Sequence, residues 1–137
     1  AEDVAKVLAV IHCLISQFRE LSIPVTFTMF PEVQYGPLLA GLVPMSDLEI
    51  VEKEDSDAFL AREFRDRVHD CNQLHVCGCN LDVCVRLTVE SAVRRGKSVT
   101  IYTNGILQRS YRPNKNIQTK TYFFLHPKIH TKAFIKK

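Results

Sequence analysis

The stretch that decides the fold runs from Leu74 to Thr103: LHVCGCNLDVCVRLTVESAVRRGKSVTIYT. Its first six residues are, His75 apart, apolar or small, which predicts a buried strand over 74–79. Asp82 then offers a cap for a helix to about Arg95, with Val85, Thr88, Val89, Ala92 and Val93 on its inner stripe. Gly96 stops that helix in the C′ manner, and Ser98–Thr103 reads as the next strand. Strand, helix, glycine and strand within thirty residues make a βαβ unit, whose right-handed crossover leaves the two strands parallel.

Outward from this unit the same alternation continues. Val4, Val7, Leu8, Ile11, Leu14, Ile15, Phe18 and Leu21 recur at helical spacing, predicting an amphipathic helix over roughly 3–21. Pro24 closes it, and residues 25–30 read as a strand. Residues 31–45 carry three prolines and two glycines and read as loop. Leu48–Val51 is a short strand, and Ser56 or Asp57 caps a helix to about Asp70. Near the end, 120–125 reads as helix and 131–135 as strand. The expected architecture is one α/β domain over 1–137, three-layered, with a mainly parallel, Rossmann-like sheet.

Composition bounds the function. At 137 residues, 46% hydrophobic and 24% charged, the chain suits one globular domain. No uncharged stretch, Leu21 to Pro31 included, is long and apolar enough to span a bilayer, and no secretory signal is visible. Five cysteines, an odd number, suit free thiols in a reducing compartment, so the expected location is cytoplasmic. The net charge of +3 hides an asymmetry: residues 1–90 carry seven basic and fifteen acidic groups, while residues 91–137 carry eleven basic and none acidic. That basic third reads as a solvated face or an anion-binding surface; without a nucleic-acid-binding signature, nucleic acid is not the expected partner. Cys71, Cys77, Cys79 and Cys84 form no CxxC pair, and Cys77 and Cys79 fall in a strand, so no zinc site is expected.

Cys84 is the informative residue. It follows the carboxyl end of a parallel strand, where open α/β sheets place ligands. It also lies in the first helical turn, where unpaired N–H groups favour a thiolate. The alternative is a small apolar cysteine packed beneath the helix.

The segment Gly78-Cys79-Asn80-Leu81-Asp82-Val83-Cys84-Val85, with Thr88, Ala92, Gly96 and Val99 behind it, resembles the nucleophile segment of the isochorismatase-like cysteine hydrolases. Ile23-Pro24-Val25 is similar to that family's second strand, and Glu52-Lys53 before Ala58-Phe59 to its lysine segment. The resemblance spans about residues 5–105. It implies hydrolysis of a C–N bond in a small amide-type substrate through a thioester on Cys84. Lys53 would sit beside the thiolate, and the backbone N–H groups of Asn80 and Cys84 would form the oxyanion hole. Lys53 by itself reads as a solvated lysine among Glu52, Glu54 and Asp55.

Two departures qualify the resemblance. The family places an aspartate at the end of a first, central strand, whereas here the helix comes first and Asp3 follows no strand. A domain without that strand is expected to have a gap in its core, filled by upstream residues or by another chain. The metal ligands of nicotinamidases after the second strand also lack counterparts: Phe30 to Met45 offers only Glu32. No metal and no cofactor are expected. The expected partners are a small-molecule substrate and further copies of the chain, with no membrane. The alternative function is a noncatalytic relative acting as a binding or assembly module.

Overall fold

A computed structural model describes residues 4–31, 46–79, 81–107 and 126–135, with the side chains of residues 47, 79, 81 and 82 left aside. In chain order the elements are α1 (Val4–Glu20), β1 (Phe27–Met29), β2 (Ile50–Glu52), α2 (Arg62–Val68), β3 (Gln73–Cys79), α3 (Arg86–Arg94), β4 (Ser98–Leu107) and β5 (Ile129–Lys132). A single 3-10 turn at Ala58–Leu60 precedes α2, and a π-helical turn at Leu81–Val85 precedes α3.

Every strand pairing is parallel. β1 pairs with β2 from Phe27↔Ile50 to Met29↔Glu52. β3 pairs with β4 from Gln73↔Ser98 to Val76↔Ile101, then shifts register at a bulge before Gly78. β5 lies on the far side of β4, from Val99↔Ile129 to Tyr102↔Lys132. Side chains alternate across β4. Val99 and Ile101 point into a core with Phe59, Phe64, Val68, Val85, Val89 and Ala92, beneath α2 and α3. The opposite face meets α1, where Val7 and Ile11 pack with Leu107 and Cys77. Helices on both faces of parallel strands give the expected three-layer α/β fold. Val89 is wholly buried; truncating such a side chain to alanine costs about 2 kcal/mol.

The expected elements stand with four corrections. α3 does not begin at Asp82: residues 81–85 form the π turn, and the α-helix starts at Arg86 with no side-chain cap. The helix expected over 56–70 is divided. Asp57 does cap, accepting from Phe59 N–H at 2.9 Å, but it caps the 3-10 turn. The strand expected at 48–51 runs from Ile50 to Glu52 after a 3-10 turn. The last strand is Ile129–Lys132 rather than 131–135, because Ile129 is the buried residue that seats it against Val99. Gly96 ends α3 as expected, at φ +82°. The helix expected at 120–125 and nearly all of the 31–45 loop lie outside the described residues.

Candidate functional site

Lys53 follows the end of β2, and its N–H donates to the Met29 carbonyl at 2.9 Å, extending the β1–β2 ladder by one bond. This turns its side chain inward, to 6% exposure. The ammonium donates to the Ser56 carbonyl at 3.0 Å and lies 5.1 Å above the centre of the Phe30 ring. Both contacts favour a positive charge. The solvated-lysine reading is therefore overturned.

Ser56 ties this lysine to α3. Its carbonyl also accepts from the Thr88 hydroxyl at 3.3 Å, and Thr88 Oγ1 accepts from Ala58 N–H at 3.0 Å. Asp57, next along the chain, takes a short hydrogen bond from the buried Ser91 hydroxyl, one turn further along α3. The loop after β2 is thus bound to the helix that begins just past Cys84.

Cys84 occupies the π turn, half-buried. The wider turn holds its backbone at the carboxyl end of β3, and π turns recur at functional sites. Gly78, at φ +127°, lies where the register of β3 with β4 shifts, just ahead of this turn. An added Cβ there would meet nothing within 4 Å, so the demand for glycine is conformational.

Cys84, Lys53, Phe30, Gly78 and Thr88 all line one cavity of about 440 Å³. Two of the residues singled out from the sequence, Cys84 and Lys53, are thus brought to a common space at the carboxyl ends of the strands. Asn80 lies outside the described residues. Sequence reasoning missed Phe30, the Ser56 carbonyl and the bridging role of Thr88. Only Thr88 left a signal, a polar residue on an otherwise apolar stripe.

The arrangement sets three thiols, Cys71, Cys77 and Cys84, on a mostly apolar cavity with one buried cation, Lys53, the elements of nucleophilic catalysis by cysteine. Of these, burial pushes the Cys77 thiol up to about 11, so it stays protonated at neutral pH. Among the described residues no group of three or more His, Cys, Asp or Glu is arranged to hold a metal. Among them, too, no helix is long and apolar enough to cross a membrane.

Comparison with known proteins places this site in context. No curated protein sequence matches the chain. Solved structures do: a Leishmania major protein provisionally named Mar1 ribonuclease superposes with a TM-score of 0.82 at 15% identity, over 96% of this chain and 69% of that one. An isochorismatase from Pseudomonas putida KT2440 gives 0.79 at 17% identity, over 94% and 76% of the two chains. N-carbamoylsarcosine amidase from Thermoplasma acidophilum gives 0.74 at 18%, over 97% and 86%. At these identities the likeness speaks for the fold. The isochorismatase domain model matches residues 1–120, and on that match the chain belongs to the isochorismatase family of hydrolases.

Proposed function

We propose that the protein hydrolyses a C–N bond in a small amide-type substrate with Cys84 as nucleophile. The Cys84 thiolate attacks the carbonyl carbon, and the negative charge passes to the carbonyl oxygen. The backbone N–H groups of Asn80 and Cys84 hold that oxyanion. The C–N bond breaks, the amine leaves with a proton, and a thioester remains on Sγ. Water then cleaves the thioester, releasing the acid and restoring the thiol. Lys53 faces the same cavity and stabilises the thiolate through its charge.

The observation that carries this reading is the shared cavity: the half-buried thiol in the π turn and the buried ammonium after β2 both line it. The amidase among the structural neighbours is consistent with it.

The test is limiting thiol alkylation across pH 5–9, each cysteine followed by mass spectrometry, beside a panel of small amides. The reading expects Cys84 to outpace the other four cysteines across that range. It also expects hydrolysis that Cys84→Ala abolishes. A Cys84 no faster than the others, with no amide cleaved, would overturn it in favour of a noncatalytic binding module.

A further inference from the structure

The connection from β2 to α2 is held against one side of α3 by two side chains. Ala58 N–H donates to Thr88 Oγ1 at 3.0 Å, the Thr88 hydroxyl donates to the Ser56 carbonyl at 3.3 Å, and Asp57 accepts from Ser91. Thr88 and Ser91 are three residues apart in α3, which sets them on the same side of the helix. What they hold differs. Asp57 caps the 3-10 turn through Phe59 N–H, so Ser91 secures that turn. Thr88 secures the Ser56 carbonyl, and on that carbonyl rests the Lys53 ammonium, at 3.0 Å.

The direction of these bonds is fixed. An N–H donates and a carbonyl accepts, so Thr88 Oγ1 accepts from Ala58 and gives its one proton to Ser56. A threonine inside a helix ordinarily turns that proton to a carbonyl three or four residues back, here that of Val85 or Cys84. Thr88 turns it across to another segment instead. The two lone pairs of the Ser56 carbonyl suffice for Thr88 and Lys53 together. Ala58 is 2% exposed, so without Thr88 its N–H would be left buried and without an acceptor. The hydroxyl is thus committed at both contacts, and where it holds Ser56 the ammonium follows.

We propose that Thr88 is a positioning residue for Lys53: by fixing the Ser56 carbonyl, it keeps the lysine ammonium turned to the cavity that Cys84 shares. It acts through Ser56 rather than on the substrate. That Lys53 then serves the chemistry of Cys84 rests on the function proposed above; that Thr88 places Lys53 does not. Valine is close to threonine in shape but has neither the lone pair nor the proton. In Thr88→Val, Ala58 N–H loses its acceptor and the Ser56 carbonyl loses one of its two donors. The segment then turns toward water and carries the ammonium with it. Thr88→Ser keeps both bonds.

The test compares Thr88→Val, Thr88→Ser and Lys97→Met with the original 137-residue chain. Lys97 makes its bonds at the end of α2, away from Ser56, so Lys97→Met loosens the fold without touching this contact. Lysines are acylated with limiting acetic anhydride and followed by mass spectrometry, and amide hydrogen exchange is read beside them. In Thr88→Val, Lys53 is acylated at least about fivefold faster and the Ala58 amide exchanges at least about tenfold faster. Thr88→Ser and Lys97→Met stay within about twofold of the original in Lys53 acylation. Where the amide panel gives turnover, kcat falls about tenfold in Thr88→Val with KM nearly unchanged, and Thr88→Val adds nothing to Lys53→Ala. If the original chain cleaves no amide, the proposed function fails, and acylation and exchange alone decide what places Lys53. Three results overturn the proposal. The first is unchanged acylation and exchange in Thr88→Val. The second is a Thr88→Ser as fast as Thr88→Val, which assigns the effect to the methyl group. The third is equal acceleration in Lys97→Met, which assigns it to general loosening. If Thr88→Val loses its circular dichroism, the original chain and Thr88→Ser decide. An Ala58 amide that exchanges as fast as those of the exposed Glu54 and Asp55 overturns the proposal. One at least about tenfold slower, with Lys53 acylation unchanged in Thr88→Ser, supports it.

Discussion

Among the described residues, the two ends of the parallel strands each bury one lysine, and the two are used differently. At the amino end, Lys97 precedes β4 and is 7% exposed. Its ammonium donates to the carbonyls of Val68 at 2.8 Å, His69 at 3.3 Å and Cys71 at 2.7 Å, closing the end of α2. All three of its donors are accounted for. At the carboxyl end, Lys53 is just as buried, yet among the described residues it donates to one carbonyl, that of Ser56, and otherwise meets the Phe30 ring. It lines the cavity, whereas Lys97 does not. Burial alone therefore does not mark a functional lysine. The mark is a buried cation with donors to spare facing a space where a negative charge can form.

Variants at the two lysines test this contrast most directly, and the largest effect belongs to Lys97. Lys97→Met removes three hydrogen bonds, leaving the His69 and Cys71 carbonyls without this donor while the Val68 carbonyl keeps its bond from Cys71 N–H, and costs about 2–3 kcal/mol of stability. Urea unfolding measures the loss, and amide hydrolysis per folded molecule stays at its original value. Lys53→Ala does the reverse. The Ser56 carbonyl keeps its bond from Thr88, so stability moves by no more than about 1 kcal/mol. The kcat/KM for amide hydrolysis falls about 100-fold, the cost of losing one stabilising charge at a developing anion. If Lys53→Ala unfolds the protein as readily as Lys97→Met, with kcat/KM of the folded fraction unchanged, the distinction between the two ends is wrong.

A smaller effect sharpens it at the carboxyl end. Gly78→Ala meets no neighbouring atom but forces a side chain to φ +127°. That costs about 1–3 kcal/mol of backbone strain. Because Gly78 sets the path of β3 into the π turn, the alkylation rate of Cys84, downstream of it, should change more than that of Cys77, upstream of it. Equal changes at both thiols would mean that Gly78 serves general stability only.

The amino-end scaffold was more legible in the sequence than the carboxyl-end site. Gln73–Leu107 reads from local signals: an apolar run, a helical stripe, Gly96 and a β-branched run. Even there Asn104 and Gly105 look like breakers, yet β4 continues through them. The Asn104 amide holds the Phe134 backbone with two hydrogen bonds of 2.8 Å, a pairing across thirty residues that no local pattern carries. The π turn was hidden because helical spacing at four residues cannot distinguish one π turn from one α turn. Lys53 was hidden by its neighbours: Glu52, Glu54 and Asp55 suggest a solvated segment, and what buries the lysine is Phe30 and a loop tied to Thr88. Cys84 was legible because a strand end and a helix start lie on either side of it within ten residues. The split between β1 and β3 follows from pairing partners, which are long-range by nature.

The last and smallest effect lies on the cavity wall between the two ends. His75 on β3 packs against Phe18 and meets the Tyr102 hydroxyl at 3.0 Å. Burial first, and the nearby Lys132 cation second, lower its affinity for a proton below the ordinary value of 6.5. The folded protein thus resists protonating His75, whereas the unfolded chain accepts a proton near pH 6.5. Stability from this residue is present above that pH and is lost as the pH falls through and below it. The ring is more exposed than buried and solvent screens its charge, so the loss stays under about 0.5 kcal/mol. Urea unfolding at pH 7.5 and pH 5.5 measures it, and His75→Gln, which keeps a hydrogen-bonding group beside Tyr102, should flatten that portion of the pH dependence. A steeper dependence in the variant would place the titrating group elsewhere and leave His75 as a packing residue alone.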